Sequence, residues 1–430
     1  MESRPSKWRG RALKVVIGLV VALILLLTLG RPLLVRELAG AWSQDPSAEL
    51  SPAARALVER AYEGIDPARL VDFHNHIAGI GTGGTGCEVH PGMRSHWHPM
   101  RKLQFDFYLH ASGVRNLDNA DAEYVERLVD LVRNQEPHGR HFILAFDRHY
   151  DEEGNAVPDE TEFHVPNEYV VELARRYSDV FLPAISVHPY RKDALDELDR
   201  YGVEGVRLVK WLPNAMGIDP SDPKCVPYYQ RMEQWGMMLL SHAGEEKAVE
   251  SEEMQAFGNP LRLRAALDQG VMVIAAHCGS LGTDLDDDGN EVPSFELFLR
   301  LMEDERYEGL FFGEISAMTQ FNRMTGPLEV LLERPDVLPR LVNGSDYPLP
   351  AINVLYQTRQ FLNQGWIDAE EREALNEIYD RNPLQFDFVL KRTLRHPTTG
   401  EALPASIFML PEGVQVEWPL EVRREVEWPR

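Results

Sequence analysis

Val271 to His277 reads Val-Met-Val-Ile-Ala-Ala-His, an unbroken apolar run closed by a histidine. Such a run suits a strand buried on both faces, as in a parallel sheet, because burial of one face alone would alternate polar with apolar positions. Met237–His242 repeats the form, and residues 260–269 between them carry a helical pattern. Outward from this pair the same grammar recurs at Leu70–His76, Phe142–Phe146, Val180–Val187, Gly205–Trp211, Leu310–Ile315 and Leu341–Asp346. Further helices are expected over 192–201, 223–235, 294–303 and 327–333. Eight strands with helical crossovers predict an α/β fold, the (β/α)8 TIM barrel, whose active site lies at the C-terminal ends of its strands. A chain of 430 residues holds such a barrel with additions at both ends.

The strands end on unusual polar residues: His74-Asn75-His76 on the first, Lys210 on the fourth, His242 on the fifth, His277 on the sixth and Asp346 on the eighth. His74 and His76 are two apart, so on a strand they point the same way and can share a metal. Neutral imidazole is a favoured zinc ligand, and a carboxylate such as Asp346 completes a mixed N/O sphere with an open position. Singly, each residue reads as a hydrogen-bonded rim residue. Jointly, four histidines and an aspartate at the catalytic end of one barrel are hard to obtain from packing needs.

The text here resembles the amidohydrolase superfamily, and within it the branch of the aminocarboxymuconate-semialdehyde decarboxylase relatives. The resemblance covers about residues 66–390, in family order. It is carried by Val71-Asp72-Phe73-His74-Asn75-His76, the Gly205–Lys210 strand, Leu240-Ser241-His242-Ala243-Gly244, Ala276-His277-Cys278-Gly279 and Asn343-Gly344-Ser345-Asp346-Tyr347-Pro348. It implies a metal-dependent hydrolase with His74, His76, His242 and Asp346 around a principal divalent metal, zinc being the expected ion. His277 is then a ligand of a second metal, or a base and stabiliser. Lys210 stands where binuclear members carry a carboxylated, bridging lysine; its alternative role is an ion pair with a carboxylate at the barrel mouth.

Other polar residues weigh less. Glu314 reads as structural, His149 and His188 as residues beside the pocket, and Cys278 as core. Asp346 is expected to take the proton of an attacking water and pass it to the leaving group, with His277 steadying the oxyanion. A decarboxylase (lyase) on the same scaffold is the first rival, and a tethered, non-catalytic binding module the second. Substrate specificity rests on the loops 77–115 and 147–167, whose shape a sequence does not disclose.

The N-terminus carries a separate message. Val15–Gly30 holds no charge, Pro32–Val35 extends the run past Arg31, and Arg4, Lys7, Arg9, Arg11 and Lys14 precede it. A helix of roughly 20 residues crosses a bilayer, and the basic flank marks the cytoplasmic side. The expected order is a basic cytoplasmic tail (1–14), a transmembrane anchor (15–35), a linker (36–65), the barrel (66–390) outside the cytoplasm, and a C-terminal extension (391–430). The first 45 residues hold seven Lys/Arg against three Asp/Glu. Of the chain's 44 and 68, the rest therefore keeps 37 and 65, a net charge of −28. A body that acidic repels phosphate backbones, so a small molecule rather than a nucleic acid is the expected partner. Three cysteines build no disulfide framework.

Three further signals are set aside. Gly81-Thr-Gly-Gly-Thr-Gly86 matches a dinucleotide fingerprint, but a Pro- and Gly-containing loop follows it instead of a helix, so it reads as a mobile loop. Asp284-x-Asp286-x-Asp288-Gly289 begins like a calcium loop but lacks its closing glutamate, and reads as an acidic hairpin. Its text is shared in part with 151–158. No Gly-x-Ser-x-Gly elbow occurs, which disfavours a serine hydrolase.

Overall fold

The computed structural model describes residues 31–39, 46–247, 252–323 and 326–419. Its centre is an eight-stranded sheet in chain order, each strand parallel to its neighbours: β1 (Val71–His76), β2 (Arg140–Leu144), β3 (Phe181–Ile185), β4 (Leu208–Trp211), β5 (Met238–His242), β6 (Val273–Ala276), β7 (Phe311–Glu314) and β8 (Leu341–Val342). Seven lie inside the expected runs, and β2 begins two residues ahead of its run, at Arg140. From β3 to β8 every strand residue is buried, as continuous apolar text requires. The barrel closes between its ends: Phe73 N donates to Asn343 O at 2.9 Å, His76 N to Tyr347 O at 3.0 Å, and Asn75 bridges Tyr347 in parallel. Crossover helices at Asn167–Arg176, Ala194–Val203, Val226–Gln234, Ser294–Met302 and Pro327–Leu332 cover the outside.

Additions occupy both ends of the barrel. Helix α1 (Arg31–Leu38) packs on α3 (Pro99–Ala111), and α2 (Pro52–Ala61) buries Ala54, Leu57, Val58 and Ala61 within the segment read as linker. The stretch between β1 and β2 is largely helical: α3 lines the site, and α4 spans Ala120–Arg133. The two Gly-Asn turns share one construction. Asp151 Oδ1 accepts from the backbone N–H of Glu153 and Asn155, and Asp286 Oδ1 from those of Asp288 and Asn290. The glycine-rich segment is pinned, not loose. Ile80 N, Gly81 N, Thr82 Oγ1 and Thr85 Oγ1 all donate to the Asp121 carboxylate, which occupies the place an anion would take.

The chain stays helical as far as Thr393, three residues into the segment read as the C-terminal extension. After α5 (Ala369–Arg381), α6 (Pro383–Thr393) runs beneath the barrel, buried on nearly all sides, so no amphipathic period marks it. Beyond it, Leu70 bridges Met409, Asn343 N donates to Ile407 O and Leu410 N to Arg69 O, closing the N-terminal end of the barrel. No helix among the described residues is long and apolar enough to cross a membrane. The expected anchor lies outside the described residues as far as Gly30, while its last residues, Arg31–Val35, belong to α1 with Val35 buried.

One ion pair supports this floor. Lys391 is fully buried; its Nζ donates to Asp387 Oδ2 at 2.6 Å and Gly344 O at 2.7 Å. Removing one member of a buried pair leaves the other charge uncompensated, at about 3–5 kcal/mol. Lys391→Met is expected to lower unfolding stability by that amount in urea titration, with Asp387→Asn in the same chain restoring part of it; a loss below about 1 kcal/mol would show that the pair carries little.

Candidate metal centre

Strand ends bring His74, His76, Lys210, His242, His277 and Asp346 to one cavity at the C-terminal end of the barrel. His74 Nε2, His76 Nε2 and Asp346 Oδ1 form a triangle with edges of 3.3, 3.1 and 3.5 Å. Two ligand atoms each about 2.0–2.1 Å from a tetrahedral zinc stand roughly 3.3–3.4 Å apart, so this triangle has the size of a ligand face. Two imidazole nitrogens pointing lone pairs at each other need a cation or a proton between them. His242 Nε2 is buried without a hydrogen-bond partner among the described residues, while its Nδ1 faces Glu246 Oε2 at 3.3 Å. An orphaned imidazole nitrogen with its other nitrogen held by a carboxylate is the arrangement of a metal ligand. The donor set therefore fits a divalent ion.

Glu314 holds the arrangement from behind. It is fully buried, and its Oε2 meets His74 Nδ1 at 3.0 Å and Ser316 Oγ at 2.7 Å, while Ser316 N donates to Oε1. Nδ1–H of His74 is thereby spent on the carboxylate, which leaves the lone pair on Nε2, turned toward the triangle and Lys210 Nζ. His74, His277 and Glu314 also cluster tightly enough for a metal, but there Glu314 Oε2 already meets His74 Nδ1 and Ser316 Oγ. A Cβ on Gly344 would stand 2.3 Å from Glu314 Oε1, so the loop carrying Asp346 needs glycine to pass. The structural role read for Glu314 thus has a specific content: it orients a ligand.

His277 and Asp346 do not lie on their strands. β6 stops at Ala276 and β8 at Val342, and His277, Cys278, Ala317 and Asp346 all have φ between 52° and 59°. Left-handed backbone is costly for side-chain-bearing residues and persists where surroundings over-determine it. Here Asp346 N donates to His74 O at 2.7 Å. His277 Nδ1 meets the Ser316 carbonyl at 3.2 Å and Ser316 Oγ at 2.8 Å, which assigns its proton to Nδ1 and turns the bare Nε2 toward Asp346 Oδ2, 3.9 Å away. Cys278 is core, as read, with Sγ near Glu314 O.

Burial sets the charge states. It drives the pKa of His242 down to about 3 and holds those of His74 and His277 well below the usual imidazole value, so all three stand neutral, as ligands require. Burial also lowers Lys210 to about 8 and raises Glu314 to about 7. Lys210 Nζ meets His74 Nε2 at 3.2 Å and pairs with no carboxylate among the described residues, unlike the ion-pair alternative. His188 and His149 do not line the cavity: His188 Nε2 meets Met216 O at 2.8 Å, and His149 Nε2 faces Glu160 at 3.0 Å.

The cavity encloses about 430 Å³ and is lined mostly by apolar side chains, among them Ile80, Phe105, Leu109 and Ile352. The sequence reading missed Arg323 and Glu246, which line it too. Arg323 is nearly buried; Nη1 donates to Ser280 Oγ at 2.9 Å, and Nε has no partner among the described residues. Neither residue ends an apolar run, so no local signal marked them. Carboxylates behind ligating histidines tune affinity 10–100-fold. Glu314→Gln is expected to weaken metal binding by that factor with the far-UV spectrum unchanged, as read by competition with a chromogenic chelator; unchanged affinity would remove Glu314 from the centre.

No family model and no curated protein matches this chain. Solved structures do. A TIM-barrel protein from Bordetella bronchiseptica is similar over 72% of this chain and 94% of its own, at 14% identity and a TM-score of 0.44. A 4-oxalomesaconate hydratase from Rhodopseudomonas palustris is similar over 73% and 96%, at 11% identity and a TM-score of 0.39. A D-hydantoinase is similar over 71% and 68%, at 10% identity and a TM-score of 0.35.

Proposed function

We propose that this protein is a membrane-anchored, metal-dependent hydrolase of the amidohydrolase type, acting on an amide, ester or lactone carbonyl of a small molecule. The observation that carries the reading is the ligand-sized triangle of His74, His76 and Asp346 beside the orphaned His242 Nε2. A divalent ion held there, zinc being the expected one, would supply Lewis acidity and a water of lowered pKa. Asp346 Oδ2, on the side away from the triangle, takes the proton of the attacking water and passes it to the leaving group. His277, neutral with a bare Nε2, acts as a base or as ligand to a second ion; a neutral imidazole of this tautomer has no N–H to offer an oxyanion. Lys210, its amine pKa lowered toward neutrality, is the residue whose carboxylation would bridge two ions. The apolar walls exclude water and strengthen each of these interactions.

A second reading, a lyase on the same scaffold, has one observation in its favour: Arg323 brings a buried guanidinium with an unpartnered Nε to the cavity, where a substrate carboxylate would find it.

Elemental mass spectrometry on the chain purified without chelators is expected to give one divalent ion, or two with Lys210 carboxylated. Chelation should abolish hydrolysis and zinc restore it. His277→Ala should lower kcat about 10²–10⁴-fold, with at least one ion retained. Full activity after complete removal of metal would overturn the reading, and release of carbon dioxide instead of a hydrolysis product would establish the lyase.

A further inference from the structure

The side of the protein that α1 occupies is also the mouth of the cavity. α1 packs on α3 and on the turn Asn353–Leu355, where Asn353 Nδ2 donates to Glu37 O at 2.9 Å. Both partners line the cavity, α3 through Phe105 and Tyr108, the turn through Val354 and Leu355. α1 is also the first described element after Val15–Gly30, the uncharged apolar run. Eight helical residues span about 12 Å, so whatever holds residue 30 lies no farther than that from the rim. Within α1 the side chains divide: Val35 is buried against the body, while Leu33 is 62% exposed.

The rim has the matching chemistry. Seven large apolar side chains are exposed among the described residues, and five of them lie on or next to these touching elements. They are Leu33 on α1, Trp97 (92% exposed) just ahead of α3, Met100 (76%) in its first turn, Val354 on the turn, and Phe321, whose N–H donates to Leu355 O. Scattered exposed apolar residues need no explanation, but five of seven on one set of touching elements that borders an apolar cavity do. Tryptophan beside aliphatic side chains suits the boundary between headgroups and acyl chains.

We infer that this rim docks on the bilayer that holds residues 15–30, so that the cavity opens onto lipid and takes a carbonyl compound bearing an apolar chain from the membrane. The inference rests on the anchor and hydrolase readings above. A second copy of the chain is the competing occupant of the patch. The −28 body disfavours anionic headgroups, so the contact is apolar and zwitterionic lipid suffices.

The full chain, reconstituted in phosphatidylcholine vesicles, carries an environment-sensitive fluorophore on Trp97→Cys, Met100→Cys or, at the opposite end of the barrel, Glu412→Cys. Cys87, Cys225 and Cys278 are buried and do not compete for label. Labels at 97 and 100 are expected to shift to the blue and to be quenched by acyl-chain bromine, unchanged in high salt, while the label at 412 stays in water. Chain that resists carbonate extraction yet shows unquenched labels at 97 and 100 overturns the docking alone. Chain released by carbonate overturns the anchor reading and the docking with it. Blue-shifted but unquenched labels put a second copy on the patch and overturn the lipid assignment. The double variant Trp97→Ser/Met100→Ser should lose activity several-fold on a p-nitrophenyl dodecanoate dissolved in the vesicles and none on p-nitrophenyl acetate. Equal loss on both overturns entry from lipid. Cleavage of neither ester by the parent chain counts against the hydrolase reading, and with it the substrate assignment, while the quenching result still decides the docking.

Discussion

Everything at the site depends on how β8 is laid against β1. The two strands come from opposite ends of the chain, and Asp72 joins them: its Oδ1 accepts from His74 N at 2.8 Å and from Ser345 N at 3.1 Å. One buried carboxylate thus sets the register between the strand bearing two candidate ligands and the loop bearing the third. His141 sits behind it, 3.5 Å from Asp72 Oδ2, so the carboxylate is held from a third strand as well. A slip of one residue at this seam would turn His74 and His76 to the other face and dissolve the triangle, because side-chain direction alternates along a strand.

The second constraint is dielectric. Three neutral imidazoles, a lysine of lowered basicity and a carboxylate share a space walled by aliphatic and aromatic side chains. Charges there interact more strongly than in water, and an unpaired one is expensive. Glu314 is tolerable because Ser316 and His74 satisfy it; His242 Nε2 is left without such a partner among the described residues. Three turns at the ends of β6, β7 and β8 carry left-handed, side-chain-bearing residues. The backbone is bent most where the chemistry gathers.

Which parts of this were legible in the sequence follows from what makes a local signal. A polar residue that closes an apolar run is conspicuous, so His74, His76, Lys210, His242, His277 and Asp346 could be found one strand at a time. Their companions could not. Ser316 and Arg323 lie in loop text beyond β7, and Glu246 beyond β5; only the closed barrel makes them neighbours of the ligands. Glu314 was visible, but its hold on His74, 240 residues away, was not. Helix α3 carries too mixed a pattern to announce itself, because Ala111 is buried against the body while Phe105, Tyr108 and Leu109 face the cavity. Helix α6 failed for the opposite reason: it is surrounded on nearly all sides.

The floor of the barrel gives the protein an order of assembly. Lys391 reaches Gly344 O, and Ile407 O receives Asn343 N, so the loop that presents Asp346 is braced by text that follows it in the chain. A ribosome delivers those residues after the loop itself, at a few to twenty per second. Until they emerge, the loop that presents Asp346 lacks these two braces, however well the strands have paired. The aspartate is thus made before the text that steadies it.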